Sequence, residues 1–404
     1  QVCTFFPPTP SHSISAEQHF CWMGCASSGE KPAVDAQRRR LSIGAVDKDG
    51  QQTNQDDSKM TEDDRGLIAA LNEANIIEML NSADTDRKFS IGSQTDQAKA
   101  SFAAKSMQQL GDDVNTANEG LGFTCRKGLK PESPNQDSWS ILKLSDFSLY
   151  GVFDGHGQKG HDVSNFVKEN MPKLVIRDQR FKTDDMKPML EDIYKRTQSL
   201  ITTCDRTKKL NAQLSGTTCT FVIHDHSKNK LTVSHVADST CVMGTFADES
   251  KSKLKGVPLT KDHKPNDPME KKRIEANGGR VVFDGYANHR IYAQKGRYPG
   301  LNMSRCLGDL LGHQDAGCSA EPDVSERVIS PLDHVLLLCS DGVWEFITPQ
   351  EAVEIVGQFP QAKAADAANQ LAKEAWDRWI REEGGTVVDD ITVVLVYLNI
   401  ATNN

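Results

Sequence analysis

Seven apolar, β-rich runs lie at 138–144, 147–153, 218–224, 231–236, 241–246, 335–339 and 391–398, and aspartates stand where five of them begin or end. Asp137 opens the first run, and Asp154 follows Tyr150-Gly151-Val152-Phe153. Asp238 follows His235-Val236-Ala237, Asp341 follows Leu336-Leu337-Leu338-Cys339-Ser340, and Asp389 precedes Ile391-Thr392-Val393-Val394. A single aspartate at a strand end is most often a turn former that bonds its own backbone. Five of them constrain the fold more strongly, because strand ends gather at the rim of a sheet. Carboxylates converging there repel and raise one another's pKa unless cations neutralise them. Hard oxygen donors in that number suit Mg²⁺ or Mn²⁺, with water completing the octahedra. No Cys or His set is expected to offer a competing soft site. Cys21 and Cys25 lie near His12 and His19, but at poor spacing for zinc.

Between the runs stand helical patterns. Met186, Leu190, Ile193, Tyr194, Thr197, Ile201 and Cys204 form one stripe within 184–204, and further helices are expected at 160–174, 268–277 and 361–381. Runs joined by short connections, such as 218–224 and 231–236, imply antiparallel hairpins rather than a doubly wound sheet. A net charge of −9 argues against non-specific nucleic-acid binding, which needs a basic surface. The ten cysteines are scattered, several in strand-like runs, which fits buried reduced thiols better than a disulfide framework. No apolar run reaches the ~18 residues of a membrane span.

Residues 1–114 have a different texture, rich in Ser, Gln, Asp, Asn and Lys, and are expected to be largely disordered. Leu67, Ile68, Leu71, Ile76 and Leu80 predict one short amphipathic helix within 62–80, behind a Thr61 cap. Two echoes, Arg39-Arg40-Leu41-Ser42-Ile43-Gly44 and Arg87-Lys88-Phe89-Ser90-Ile91-Gly92, carry a pattern that a basophilic kinase would read, or arise by chance. Met23-Gly24-Cys25-Ala26-Ser27-Ser28 fits N-myristoylation of Gly24, with Cys25 placed for a second acyl chain. Gln1 to Trp22 read as leader or added sequence rather than a secretory signal. If translation starts at Met23, the chain is expected to associate peripherally with a membrane on its cytosolic face. Otherwise it is expected to be cytoplasmic.

Ordered along 115–404 are Asn135-Gln136-Asp137, Phe153-Asp154-Gly155-His156-Gly157, Ser215-Gly216-Thr217-Thr218 and Ala237-Asp238-Ser239. There follow Leu259-Thr260-Lys261-Asp262-His263-Lys264-Pro265, Met303-Ser304-Arg305-Cys306-Leu307-Gly308-Asp309, Cys339-Ser340-Asp341-Gly342-Val343-Trp344 and Asp389-Asp390-Ile391-Thr392. This series resembles the type 2C, metal-dependent Ser/Thr protein phosphatases. The resemblance implies an α+β fold, a central antiparallel β-sandwich flanked by helices on both faces in four layers. It implies a catalytic domain over 115–404 that hydrolyses phosphoserine and phosphothreonine in signalling phosphoproteins, by attack of a water bridging two Mg²⁺ or Mn²⁺ ions. By this resemblance Asp137, Asp154, Asp341, Asp389 and the Gly155 carbonyl hold the two ions, and Asp154 bridges them. Asp238 matches the position of a third, weaker ion. His156 matches the general acid, and Arg126, eleven positions before Asp137, is the expected phosphate anchor, with Lys127 and Lys130 as alternatives.

The sequence departs from the family pattern at four places. Gln136 replaces a glutamate of the metal shell, Ala237 a glycine, Thr240 an arginine and Glu345 an aspartate. A catalytically weak or silent scaffold of the same fold is the alternative function. All four core aspartates being in place argues against it. A Ca²⁺-binding protein is a further reading, without an EF-hand-like loop to support it. The chain is expected to be a monomer.

Overall fold

The structure, a computed structural model, describes residues 62–80, 88–95, 100–130 and 134–398. Two antiparallel sheets face one another. The first runs Asp323–Val328, Lys230–Val236, Cys219–Asp225, Phe147–Phe153, Ser138–Leu144, Lys88–Ser93 and Met107–Gly111. The second runs Leu254–Pro258, Thr240–Phe246, Asp333–Cys339, Ile391–Tyr397 and Leu121–Arg126. Phe147–Phe153 and Ile391–Tyr397 are buried along their whole length. A strand covered on both faces has no wet side, so its sequence reads as a continuous apolar run instead of an alternation.

Between the sheets, Trp139, Ile141, Tyr150 and Val222 of the first meet Met243, Leu336, Val394 and Val396 of the second. On the first sheet's outer face, helices Gly160–Arg177 and Met186–Arg206 pack Val167, Met171, Leu190 and Tyr194 against Leu142, Phe153 and Phe221. On the second's, helices Pro349–Val356 and Ala364–Glu382 pack Val353, Leu371 and Trp379 against Val335, Leu337 and Leu395. These are the four layers expected of the chain. The helix starts are locally encoded as well: Thr348 and Glu351 form a capping box, and Asp267 caps a helix that begins with Pro268.

The expectation of a largely disordered segment up to residue 114 does not hold within the described residues. Lys88–Ser93 pairs with Ser138–Leu144 on one side and Met107–Gly111 on the other. Its alternation buries Phe89 and Ile91 in the inter-sheet core. Only two apolar residues alternate there, too short a pattern to stand out in a polar stretch. The folded unit therefore begins upstream of residue 115. The single helix expected over 62–80 is two, Glu62–Glu73 and Ile76–Leu80, because the Asn75 side chain accepts from Ile77 N at 2.9 Å and restarts the chain. Ile68, Leu71, Ile76 and Leu80 all join the core beneath the first sheet. Ser90 sits between two hydrogen-bonded neighbour strands, opposite Leu110 and Leu142, so its segment is not presented as an extended kinase substrate. Gly24, Cys25, Ser42 and Thr61 lie outside the described residues. The seven described cysteines are buried and unpaired by disulfides, and no described helix is long and apolar enough to cross a membrane.

Phe89 is fully buried in a strand that was expected to be linker. Phe89→Ala should cost about 3–5 kcal/mol of stability in urea unfolding, as for other buried phenylalanines. A loss under about 1 kcal/mol, the size typical of surface positions, would show that this strand does not belong to the cooperative fold.

Candidate active site at the rim of the sandwich

Strand register gathers the aspartates. Ser138 pairs with Phe153, so Asp137 and Asp154 flank the end of one strand pair. Cys339 pairs with both Thr240 and Val393, which brings Asp341 and Asp389 to the same end of the second sheet. Asp238 lies on the connection between Lys230–Val236 and Thr240–Phe246, where the chain crosses between sheets. Hydrogen bonds tie the two sheets across this rim: Ser340 Oγ donates to Asp137 Oδ2 at 2.8 Å and Thr392 Oγ1 donates to the same oxygen at 2.7 Å. Asp390 accepts from the backbone of Gly128 at 2.7 Å and Gln136 at 2.8 Å, pinning the loop that carries Asp137. From the N-terminal segment, the buried Lys105 donates to the carbonyls of Asn135 and Asp137.

The electrostatics record the crowding. Burial and then Asp390 push Asp137 up to about 7. Burial raises Asp154 well above the carboxylate range, and Asp137, Asp341 and Asp389 raise it further while Lys130 opposes them. Two ammonium groups answer part of this charge. Lys130 pairs with Asp389 and Lys264 with Asp238. Asp262, pushed up to about 6 by burial and then by Asp238, extends the acidic edge, and Thr240 donates to it at 3.1 Å.

His156 is carried by the short strand Gly155–Gly157 beside Ser215–Thr217. Its Nε2 meets Asp309 Oδ2, while the buried Nδ1 has no hydrogen-bond partner. Burial works against a charge on the ring, but Asp309 outweighs it and raises the imidazole's pKa. A Cβ on Gly216 would stand 2.1 Å from Asp309 Oδ2 and 2.8 Å from His156 Nε2, so the imidazole–carboxylate pair needs glycine there. A Cβ on Gly155 would stand 2.4 Å from the Gly160 carbonyl and 2.5 Å from that of Gln136. Only glycine brings the backbone so close to the aspartate loop.

Arg126 is not at this rim. Its Nη2 donates to Asn369 on helix Ala364–Glu382 at 2.9 Å, its Nε to Thr124 at 2.9 Å, and its guanidinium lies 5.1 Å over the Phe102 ring. Cys125 points between the sheets, so its neighbour Arg126 points outward beneath the helix, by the two-residue period of a strand. The resemblance points to an arginine upstream of Asp137 but does not say which way the strand turns it. Lys130 is one of the alternatives the sequence offers beside Arg126; Lys264 and Asp390 lie inside the resembling motifs, and Lys105 carries no signal in the sequence.

Three departures from the family pattern acquire partners or consequences. Gln136 Nε2 donates to the Gly157 carbonyl at 2.7 Å, which a glutamate could not do. Thr240 holds Asp262. Ala237 sits at φ +74, where an L residue carries a strain of about 1–2 kcal/mol that glycine would not. Nothing in the structure explains Glu345.

The oxygen-only donor set and the buried Asp137 Oδ1, which has no hydrogen-bond partner, fit hard divalent cations. The described residues also hold a soft set that was not expected: Cys306, His313 and Cys318 lie together, and His156, Cys306 and Asp309 form a second group.

Residues 123–383 match the family model described as protein phosphatase 2C. "Probable protein phosphatase 2C 73" of Arabidopsis thaliana is 34% identical over 63% of this chain and 72% of its own length. "Probable protein phosphatase 2C 72" of the same plant is 32% identical over 72% of this chain and 89% of its own. The fold is similar to the crystal structure of a serine-threonine phosphatase 2C from Toxoplasma gondii, with a TM-score of 0.59, 23% identity and coverage of 69% of this chain and 94% of that one. By sequence and by architecture together, the chain belongs to the protein phosphatase 2C family and is a metal-dependent phosphoprotein phosphatase, a hydrolase of phosphoric monoesters.

Proposed function

We propose that the chain hydrolyses phosphoserine and phosphothreonine in proteins, using two Mg²⁺ or Mn²⁺ ions held by Asp137, Asp154, Asp341, Asp389 and the Gly155 carbonyl. The observation that carries this reading is the convergence of Asp137, Asp154, Asp341 and Asp389 at one end of the sandwich, where the other three all raise Asp154 against Lys130. Cations held there acidify water and neutralise the oxygens of the transferring phosphoryl group. Asp137, Asp341 and Asp389 all repel charge on Asp154, which supports it as the residue that would serve both ions. Asp238 offers a third site. It already answers Lys264, so a cation there competes with an ammonium and binds more weakly.

The protein's own groups supply the proton and the orientation. Asp309 fixes His156 by Nε2 and favours its protonated form, which suits the imidazole to give a proton to the departing Ser or Thr oxygen. Lys130, at the metal aspartates, brings positive charge to the incoming phosphate, a role Arg126 cannot fill from beneath the helix. Acylation at Gly24 and Cys25, with residence on a membrane surface, belongs to this proposal as a property of residues outside those described.

His156→Ala should lower turnover on a phosphoserine peptide by roughly 10²–10⁴-fold at saturating Mn²⁺, the range of a general acid. On p-nitrophenyl phosphate, whose phenolate leaves without a proton, the loss should be much smaller. Equal losses on both substrates would assign His156 a structural role instead. Lys130→Ala should raise KM for the peptide roughly 10- to 100-fold, the loss of one charged hydrogen bond of about 1.5–3 kcal/mol. Arg126→Ala should leave KM unchanged, and the reverse ranking would restore Arg126 as the anchor.

A further inference from the structure

A second donor set lies behind the His156–Asp309 pair, and it is soft. Cys306 Sγ and Cys318 Sγ stand 3.3 Å apart, and His313 offers a ring nitrogen within 4.8 Å of both. Both thiols are buried, and the imidazole is half-buried. The nearest oxygen donor is Asp309 Oδ2, 3.2 Å from Cys306 Sγ, and Asp309 Oδ1 is buried with no hydrogen-bond partner.

The cluster is built by local backbone geometry. Helix Leu310–Asp315 starts on Asp309, whose φ of +41 turns the chain sharply after Gly308. His313 N donates to Asp309 O at 3.0 Å, and Cys318 N to Gly312 O at 3.1 Å. Cys306 N reaches the carbonyl of Ser319 at 3.0 Å, which closes the loop and sets the two sulfurs side by side. His313 Nε2 lies 3.1 Å from the Cys306 carbonyl, so the imidazole is held within the loop it completes.

Distances decide what such a pair is built for. A tetrahedral ion with Zn–S bonds of about 2.3 Å separates two sulfurs by about 3.8 Å, an opening of about half an ångström from this arrangement. A disulfide needs about 2.05 Å, a closure more than twice as large. Two thiols and an imidazole are donors that select zinc over magnesium. Burial opposes ionisation at Cys318, but its contacts with Cys306 and His313 bring that thiol down to about 5.

We propose that Cys306, His313 and Cys318 form a three-donor site, with an open fourth position, for one soft divalent cation of the Zn²⁺ class, separate from the hard-cation rim. Each thiol gives its proton to solvent as its sulfur binds the ion, and no oxidant or reductant enters.

Co²⁺ is the probe, added to the whole protein in Mg²⁺ and a phosphine reductant. The wild type should develop thiolate-to-cobalt absorbance in the near ultraviolet, saturating at about one equivalent and abolished by about one equivalent of Zn²⁺. Cys306→Ser with Cys318→Ser should remove the band. His313→Ala, which leaves both thiols in the core, should weaken Co²⁺ binding at least tenfold. Cys21→Ser with Cys25→Ser should leave the band intact. Absence of the band in the wild type, its persistence in the Cys306/Cys318 variant, or its loss with Cys21 and Cys25 would each overturn the proposal. So would unchanged Co²⁺ affinity in His313→Ala.

Discussion

Mutual repulsion among buried carboxylates is the constraint on which the rest of this structure depends. Asp137 and Asp389 are buried, Asp154 and Asp341 partly so, and Asp137, Asp341 and Asp389 all raise the cost of charge on Asp154. A fold left to itself would separate them. Here strand pairing prevents that, since Ser138 against Phe153 and Cys339 against Val393 are positions in continuous hydrogen-bonded ladders. The aspartates can separate only if the ladders slip, and a one-residue slip would turn every apolar side chain to the wrong face. The core thus holds the charges together, and the charges in turn create demand for cations.

Compensation inside the protein is partial and local. Lys130 and Lys264 each form an ion pair with one carboxylate and attract its neighbours more weakly, while Ser340 and Thr392 donate to a single oxygen of Asp137. The segment before residue 115 contributes to the same end of the molecule. Lys105 grips the carbonyls of the Asp137 loop, and Lys168 of helix Gly160–Arg177 donates to Ser93 O at 2.8 Å at the end of the strand that carries Phe89. A region with the composition of a linker is therefore part of the scaffold that sets the metal-binding loop.

The sandwich was legible because its strands are covered on both faces and so read as unbroken apolar runs; Ser138–Leu144 and Phe147–Phe153 fall where the residues placed them. The aspartates were legible for a related reason, since a strand end is a one-dimensional feature that maps onto a rim. Side-chain direction was not. The resemblance points to Arg126 as the phosphate anchor, but strand alternation turns its side chain toward Asn369 and Phe102. Lys88–Ser93 was missed because two buried side chains make too short a pattern, and its burial depends on partners about fifty residues away, at Ser140 to Leu144. The Cys306–Cys318 pair was missed because neither thiol has a metal-ligand spacing to the other. The turn at Asp309 and the short helix after it bring them together.

The central claim is that these carboxylates are held against their own repulsion for the sake of divalent cations. It is tested most directly by thermal unfolding of wild type and Asp154→Asn, each freed of metal and then titrated with Mn²⁺. Without metal, Asp154→Asn should unfold at the higher temperature, because one buried, repelled charge is gone. With Mn²⁺ the wild type should gain stability, by about 2.7 kcal/mol at a hundred times the dissociation constant of one site, while the variant gains little. If Asp154→Asn is the less stable protein without metal and rises with Mn²⁺ as far as the wild type does, the rim is not held in tension for cations and the account fails.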